Sequence, residues 1–353
     1  MYDMPTRAWT VLSVSLSLGL GLGLGGCKHE APVVSEPVRA GAEPTGVAPA
    51  IIVEAPPQPI GCQATTPSGG MLLVPEAAQW LVRIEPAQVM NSGFWSVLGA
   101  KVEAGELSEL FAGLRECGIE PAALRDVFVG FNPTTEDFVL IMQGPAIGQP
   151  EQATCAVQVM RRQLPGEQAV EVEASLSPGQ FGGPPTIPFD DGVAYLISPD
   201  ELVLTSRGWQ HEVAQLAQCM GRPALQSTAD ASLARLISRV DTHANAWAIG
   251  RLPPEVTSMF MMIGLASGEP YDLTVMLDFS SGLGFDLNLS VDAAASAEQG
   301  RATVQGMLDE FAASGEPSLQ QFAAGIHVEA NGPSLRIHGW YSPDQLLMLR
   351  DQI

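Results

Sequence analysis

Basic residues are scarce in this chain of 353 residues, and lysine is nearly absent. Seventeen lysines and arginines stand against 39 aspartates and glutamates, which gives a formal net charge of −22 at pH 7. A surface this acidic repels phosphates, so the composition excludes a basic nucleic-acid-binding protein. The only lysines are Lys28 and Lys101, which argues against lysine nucleophiles and lysine-containing phosphate loops.

Short motifs of catalysis and metal binding are missing as well. The sequence contains no G-x-S-x-G, no S-x-x-K and no C-x-x-C, so serine hydrolases, redox dithiols and zinc sites have no local signature. The pair His211-Glu212 lacks the second histidine that H-E-x-x-H requires. We expect no enzyme activity, although a hydrolase with a dispersed site would leave no such motif.

Two histidines are the first candidates for a metal site. His327 and His338 lie on the predicted polar side of the last hairpin, and Glu329 is a third side chain that could ligate there. Histidines on a solvent-facing strand are more often simply solvated. We therefore predict no metal at these positions.

Three aspartates form the second candidate cluster. Asp272, Asp278 and Asp286 are predicted to share one face of a hairpin, a pattern open to an acid and base pair or to calcium. Acidic residues on an exposed strand face are usually solvated, and no D-x-D-x-D-G loop supports calcium. We expect these side chains to be exposed to solvent and to bind no cofactor.

Apolar residues, in contrast, are plentiful. They make up 46% of the chain, and charged residues make up 16%. Such a composition can fill a core, so disorder throughout is excluded. The length fits either one large domain or two modest ones.

The beginning of the chain is a charge-free segment. No charged residue occurs from Ala8 to Cys27, and Arg7 precedes this stretch. A basic start, an apolar stretch and small residues at the end are typical of a secretion signal. A transmembrane helix is the competing interpretation, and the five glycines between 19 and 26 disfavour it.

The end of this segment, Leu24-Gly25-Gly26-Cys27, resembles the lipobox of bacterial lipoprotein precursors. In that family the cysteine becomes the lipidated first residue after cleavage, and the position of Gly25 is more often Ala or Ser. The resemblance implies that residues 1–26 are a signal peptide and that acylated Cys27 is a membrane anchor. An exported protein on the periplasmic face or the cell surface is the expectation; a plain signal peptide is the alternative.

Residues 27–61 are predicted to be a disordered tether. From Lys28 to Gly61 the chain has seven prolines, no aromatic residue and no apolar periodicity. Such a segment is extended and has little with which to build a core. It would hold the folded part away from the membrane.

Beyond the tether, four cysteines offer an even number for disulfides in an exported protein. We predict that Cys117 pairs with Cys155 and that Cys62 pairs with Cys219. Buried free thiols are the alternative, because cysteine is readily buried.

The pairing follows from a topological argument. If the predicted strands at 80–85 and 124–131 are parallel and joined by a right-handed helical crossover, Cys117 and Cys155 lie at the same end of the sheet. Cys62 and Cys219 are then left to pair with each other.

The folded part is predicted to be α+β. Between Tyr271 and Val291 apolar and polar residues alternate on both sides of Ser280-Ser281-Gly282, which predicts a hairpin with one apolar face. Further hairpins are predicted at 193–207 and 326–340, and stretches of helical spacing separate them. We expect two layers, with the helices on one face of the sheet.

A repeated spacing of Trp, Pro and Val suggests two copies of one unit, at 62–225 and 226–353. Trp80 and Trp247 are each followed by a proline six residues later and a valine nine residues later. We predict a duplicated order of strand, helix, hairpin, helix, hairpin, helix, with Trp80 equivalent to Trp247 and Trp209 equivalent to Trp340.

In this duplication the hairpin at 280–282 would match the strands at 124–131 and 137–143. The polar residues Asp272, Asp278, Asp286 and Asn288 would then lie on the exposed sheet face, where a partner could bind.

Met259, Phe260, Met261 and Met262 form the one unusual apolar cluster. Soft side chains of this kind can line a pocket for lipid or other hydrophobic cargo, and they also fill irregular gaps in a core. The leading hypothesis is that the protein is a lipid-anchored envelope protein with a non-catalytic binding or structural role. Its partner would be a protein or a hydrophobic ligand. A hydrophobic carrier and a hydrolase are the alternatives.

Overall fold

The structure, a computed structural model, describes most of the chain after the predicted tether. The described residues are 69–105, 107–163, 176–177, 183–189, 192–218, 231–252 and 271–349. None of the helices in these ranges is both long and apolar enough to cross a bilayer.

Eleven strands and nine α-helices are described. The strands, in chain order, are β1 Trp80–Ile84, β2 Asp126–Asn132, β3 Asp137–Gln143, β4 Thr186–Phe189, β5 Gly192–Ser198, β6 Glu201–Ser206, β7 Ala246–Arg251, β8 Asp272–Asp278, β9 Leu283–Ser290, β10 Ile326–Asn331 and β11 Ser334–Tyr341. The helices are α1 Pro86–Met90, α2 Gly93–Ala104, α3 Ser108–Glu116, α4 Pro150–Gln163, α5 Gln210–Gln218, α6 Ala231–Ile237, α7 Ala294–Ala313, α8 Pro317–Ala324 and α9 Pro343–Leu349. Mixed α+β structure is therefore shown.

The described strands form one continuous sheet in the order β10-β11-β9-β8-β7-β1-β2-β3-β6-β5-β4. Neighbouring strands are antiparallel throughout, including β1 and β2. The predicted parallel pairing of 80–85 with 124–131 is wrong. Three helices separate these two strands, so the chain can return to the sheet in either direction.

The front face, defined as the face that carries Trp80 and Val82, is covered along both halves of the sheet. Strand residues alternate between faces, and residues directly opposite in neighbouring strands share one. Helices α3 and α4 pack on this face of the first half, and α1, α2, α7, α8 and α9 pack on the second half.

Among the described residues, the back face, which carries Leu81 and Trp247, is covered in the first half and over β7. There α5, α6 and the 3-10 turn Gly69–Leu73 pack on apolar strand residues. Buried members of this core are Leu73, Leu81, Phe128, Ile141, Val203, Val213, Leu233, Leu236, Trp247 and Ile249. The prediction that helices cover one sheet face is thus wrong for the first half, whose strands are apolar on both sides.

The two halves share a strand order. Outward from the central pair β1 and β7, each half continues with one hairpin and then with a second hairpin that joins through its later strand, β6 or β11. The first half has β4 in addition.

The predicted tryptophan equivalences are nevertheless wrong. Trp80 lies opposite Gly250, and Trp247 lies opposite Arg83, so the two tryptophans occupy opposite faces. A twofold rotation that exchanges the neighbouring antiparallel strands β1 and β7 would match each residue to one on the same face. Trp80 therefore cannot be equivalent to Trp247. Trp209 is 4% exposed under α5, and Trp340 is 49% exposed.

A disulfide joins Cys117, which follows α3, to Cys155 within α4, with the Cα atoms 5.5 Å apart. These helices pack against each other on the front face. The packing explains the bond without the parallel crossover from which it was predicted. Cys62 and Cys219 lie outside the described residues.

The variant Cys117→Ala/Cys155→Ala should lose about 2–4 kcal/mol of unfolding free energy, because the bond closes a loop across a sequence separation of 38. Guanidinium denaturation of oxidised wild type and variant measures the difference. A change below about 1 kcal/mol would contradict a loop-closing role.

Candidate functional site

The uncovered part of the back face forms an open cleft of about 810 Å³. Its floor consists of polar residues that alternate with core residues along β8, β9 and β11. Its wall comes from α6, the turn that follows α6, and the end of β7. The polar and charged lining residues are Arg235, Arg239, Arg251, Tyr271, Asp272, Thr274, Asp286, Asn288, Ser290, Asp292, Ser334 and Arg336.

Asp272 is the buried acid of this cleft. Its side chain is 10% exposed and accepts hydrogen bonds from Arg235 and Arg251, the second at 3.4 Å from Nε to Oδ1. The prediction that Asp272 is solvent-exposed is therefore wrong. Helix α6 brings Arg235 to the beginning of β8, and a carboxylate so enclosed needs a cationic partner.

Asp286 is bound by a second arginine across neighbouring strands. The guanidinium of Arg336 donates to both carboxylate oxygens, with Nε at 3.0 and 3.1 Å and Nη2 at 2.6 Å from Oδ2. These hydrogen bonds to Asp286 raise the pKa of Arg336. Glu329 is 3.9 Å from Nη1 of the same side chain. The result is a fixed ion pair in the cleft floor.

Arg239 differs from the other three arginines of the cleft. Its Nη1 donates to the hydroxyl of Ser290 at 2.8 Å. Arg239 forms no salt bridge with any carboxylate of the described residues. Arg239 therefore keeps hydrogen-bonding capacity for a further acceptor, because a guanidinium has five N–H donors.

The cleft has the opposite charge sign to the chain as a whole. Four arginines and three aspartates line it, a formal excess of one positive charge, whereas the chain carries −22. Four of the 17 basic residues of the chain thus lie around one cleft.

Of the other predicted site residues, Asn288 lines the cleft, and the rest lie at its periphery or outside the described chain. The rings of His327 and His338 are 5.4 Å apart, and Nε2 of His338 is 3.5 Å from Glu329. Asp278 is exposed at the end of β8, and Asn288 is partly exposed. Within the described ranges no three His, Cys, Asp or Glu side chains are grouped to hold a metal.

The apolar cluster Met259, Phe260, Met261 and Met262 lies outside the described residues, as does Cys27. Asp272 and Asp286 in the cleft are both engaged by arginines, so neither is a free acid or base of the kind that the hydrolase hypothesis needs.

Sequence reasoning located the polar floor of this site and missed its arginines. Arg235 and Arg239 are four residues apart, a spacing that places two side chains near each other at a helix end. Arg251 and Arg336 are far from them in sequence, and the antiparallel order of the sheet brings them to the same face.

No family model and no curated protein matches the sequence. Among solved structures, crystal form III of TP0453 has a TM-score of 0.44 at 9% identity and covers 80% of this chain and 98% of its own. Crystal form I of TP0453 has a TM-score of 0.41 at 8% identity, with coverages of 83% and 99%. Since these TM-scores lie below 0.5, the function has to be argued from this chain's own residues.

Arg235→Gln should lower the free energy of unfolding by about 1–2 kcal/mol, because buried Asp272 keeps only the longer contact with Arg251. Chemical denaturation measures the change. The matched control is Arg301→Gln, which removes an exposed i,i+3 pair with Glu298 and should leave the midpoint unchanged. Equal midpoints for both variants would contradict a structural role for the Arg235 and Asp272 pair.

Proposed function

We propose that this protein is a lipid-anchored, non-catalytic component of the cell envelope that binds an anionic group in the cleft on the back face of its sheet. The ligand class is a carboxylate or a phosphate carried by a small molecule or by a partner. The observation that carries the proposal is the excess of arginine in one cleft of a strongly acidic protein.

Guanidinium geometry supports this ligand class. Arginine presents a planar fork of N–H donors that matches the two oxygens of a carboxylate or phosphate. Arg336 already shows this geometry with Asp286, where Nε donates to Oδ1 and Nη2 donates to Oδ2. Arg239 has a neutral hydroxyl as its described partner, so an anion could add a charge-assisted hydrogen bond there without breaking a salt bridge.

The two arginines that share Asp272 supply further positive charge. The single carboxylate of Asp272 contacts both Arg235 and Arg251. These two arginines therefore leave one positive charge in excess at the end of the cleft where Arg239 also lies. The net charge of −22 repels anions at long range. Binding should therefore depend on short-range contacts, which the burial of Asp272 and Thr274 in the cleft floor strengthens.

Isothermal titration of the full mature chain with inorganic phosphate and with citrate tests this site. We expect both anions to bind the wild type, and Arg239→Gln to raise the dissociation constant about tenfold, which corresponds to about 1.4 kcal/mol. The loss reflects one hydrogen bond between charged groups.

Two controls accompany this titration. Arg301→Gln removes an equal charge from α7 outside the cleft lining and should bind as the wild type does, and choline, a cation, should not bind. An unchanged dissociation constant for Arg239→Gln, or no binding of either anion to the wild type, would overturn the proposed site.

We also infer that the two halves repeat one structural unit, with a register that differs from the tryptophan alignment. The shared strand order supports this. In such a repeat the first half has its back face closed by α5 and α6, and the corresponding surface of the second half is the cleft. Loss or displacement of covering helices would then be the origin of the binding site.

Acylation of Cys27 would place this cleft at a membrane. A protein with several acyl chains is held there permanently. Metabolic labelling with a radioactive fatty acid should mark the wild type, while Cys27→Ala should incorporate none. Equal labelling of the two proteins would refute the anchor and would leave the cleft proposal to be decided by the titration.

A further inference from the structure

Strand β10 forms one edge of the described sheet. It pairs with β11 on one side, from Ile326 opposite Gly339 to Asn331 opposite Ser334, and no described strand lies on its other side. An edge strand presents unpaired backbone N–H and C=O groups, which can pair with another strand.

This edge lacks three of the features that commonly prevent strand addition, namely proline, lysine and a bulge. The segment Ile326–Asn331 contains no proline and no lysine, and its pairing with β11 has no bulge. Edge strands commonly carry one of these features. The opposite edge, β4, does contain Pro188, and its first residue, Thr186, is bridged by Ser177.

The side chains of β10 alternate cleanly. His327, Glu329 and Asn331 are exposed on the back face. Ile326 and Val328 belong to the front face and are only partly buried. An added strand would cover the remaining apolar surface and would face a row of polar groups on the other side.

We propose that β10 pairs with β10 of a second copy of this chain, antiparallel about a twofold axis at Val328. A symmetric pairing that keeps both front faces on the same side must be centred on a residue, because a slip of one residue exchanges the faces. Three centres lie near the middle of the strand: His327, Val328 and Glu329.

The charges of β10 select among these centres. With Val328 opposite Val328, each His327 lies opposite Glu329 of the second copy, which gives two cross-strand pairs of complementary chemistry. A centre at Glu329 places two carboxylates opposite each other, which is unfavourable. A centre at His327 places two imidazoles opposite each other and Glu329 opposite Gly325, so neither acid has a histidine partner. Of the three centres, Val328 is the one at which the charges of the strand complement each other.

On the front face the same register brings apolar residues together. Val328 meets Val328, and Ile326 meets Ala330, so the partly exposed apolar surface at the edge is buried. In the dimer the two sheets become continuous, and both clefts open on the same back face. The net charge of −22 on each copy opposes association, so the dimer should strengthen from low to physiological salt as repulsion is screened.

Sedimentation velocity of the full mature chain, with Cys27→Ser to remove the anchor, tests the pairing at physiological salt. We expect a concentration-dependent dimer. Glu329→Lys should weaken it at least about tenfold, because it places a lysine at the edge and opposite His327. Glu310→Lys makes the same charge change at an exposed position of α7 and should not weaken dimerisation.

A charge exchange tests the register. The double variant His327→Glu/Glu329→Lys restores opposite charges across the axis and should recover dimerisation to within about threefold of the wild type. Both positions are exposed in the described chain, so these substitutions leave the core intact.

A symmetric cross-link gives a second measurement that does not depend on charge. Val328→Cys places two thiols directly opposite each other and should form a covalent dimer on mild oxidation, whereas Asn331→Cys should not. A monomeric wild type at all concentrations, a dimer that Glu329→Lys leaves unchanged, or equal cross-linking of both cysteine variants would overturn the proposal.

Discussion

Coverage of a single continuous sheet is the constraint on which the rest of the structure depends. Every strand has two faces, and each face must be either packed against other elements or polar. The front face is packed in both halves, so its strand residues are apolar throughout. Among the described residues, the back face is packed only over the first half and β7, where α5 and α6 meet strand residues such as Trp247. Beyond β7 that face turns polar, and the cleft lies there.

Electrostatics of the cleft follow from this change in coverage. The position of α6 at the boundary encloses Asp272, and the enclosed carboxylate requires the arginines that contact it. Those arginines stand beside Arg239, whose described contact is with a hydroxyl. A chain with an overall charge of −22 thus presents a locally positive site, and the site exists because one helix ends above a polar sheet surface.

Local pattern predicted hairpins well and long-range arrangement poorly. The alternation from Tyr271 to Val291 predicted a hairpin with one apolar face, and in the structure Leu277 lies opposite Phe285 in that hairpin. Strand direction between β1 and β2 was not encoded in any such pattern, because helices of free orientation intervene. The tryptophans share sequence spacings, yet a one-residue difference in strand position puts Trp80 and Trp247 on opposite faces. The arginines of the cleft were missed because Arg235 and Arg336 meet the same surface only through the order of the sheet.

We propose that the back face, which is closed over the first half and β7, is open to anions beyond β7. Amide chemical-shift mapping of the full chain during addition of phosphate tests this proposal. We expect shifts confined to β8, β9, β11, the end of β7, and α6 with the turn after it, with β2, β3, β5 and β6 unaffected. Shifts spread over the front-face helices, or shifts in the first half alone, would contradict it.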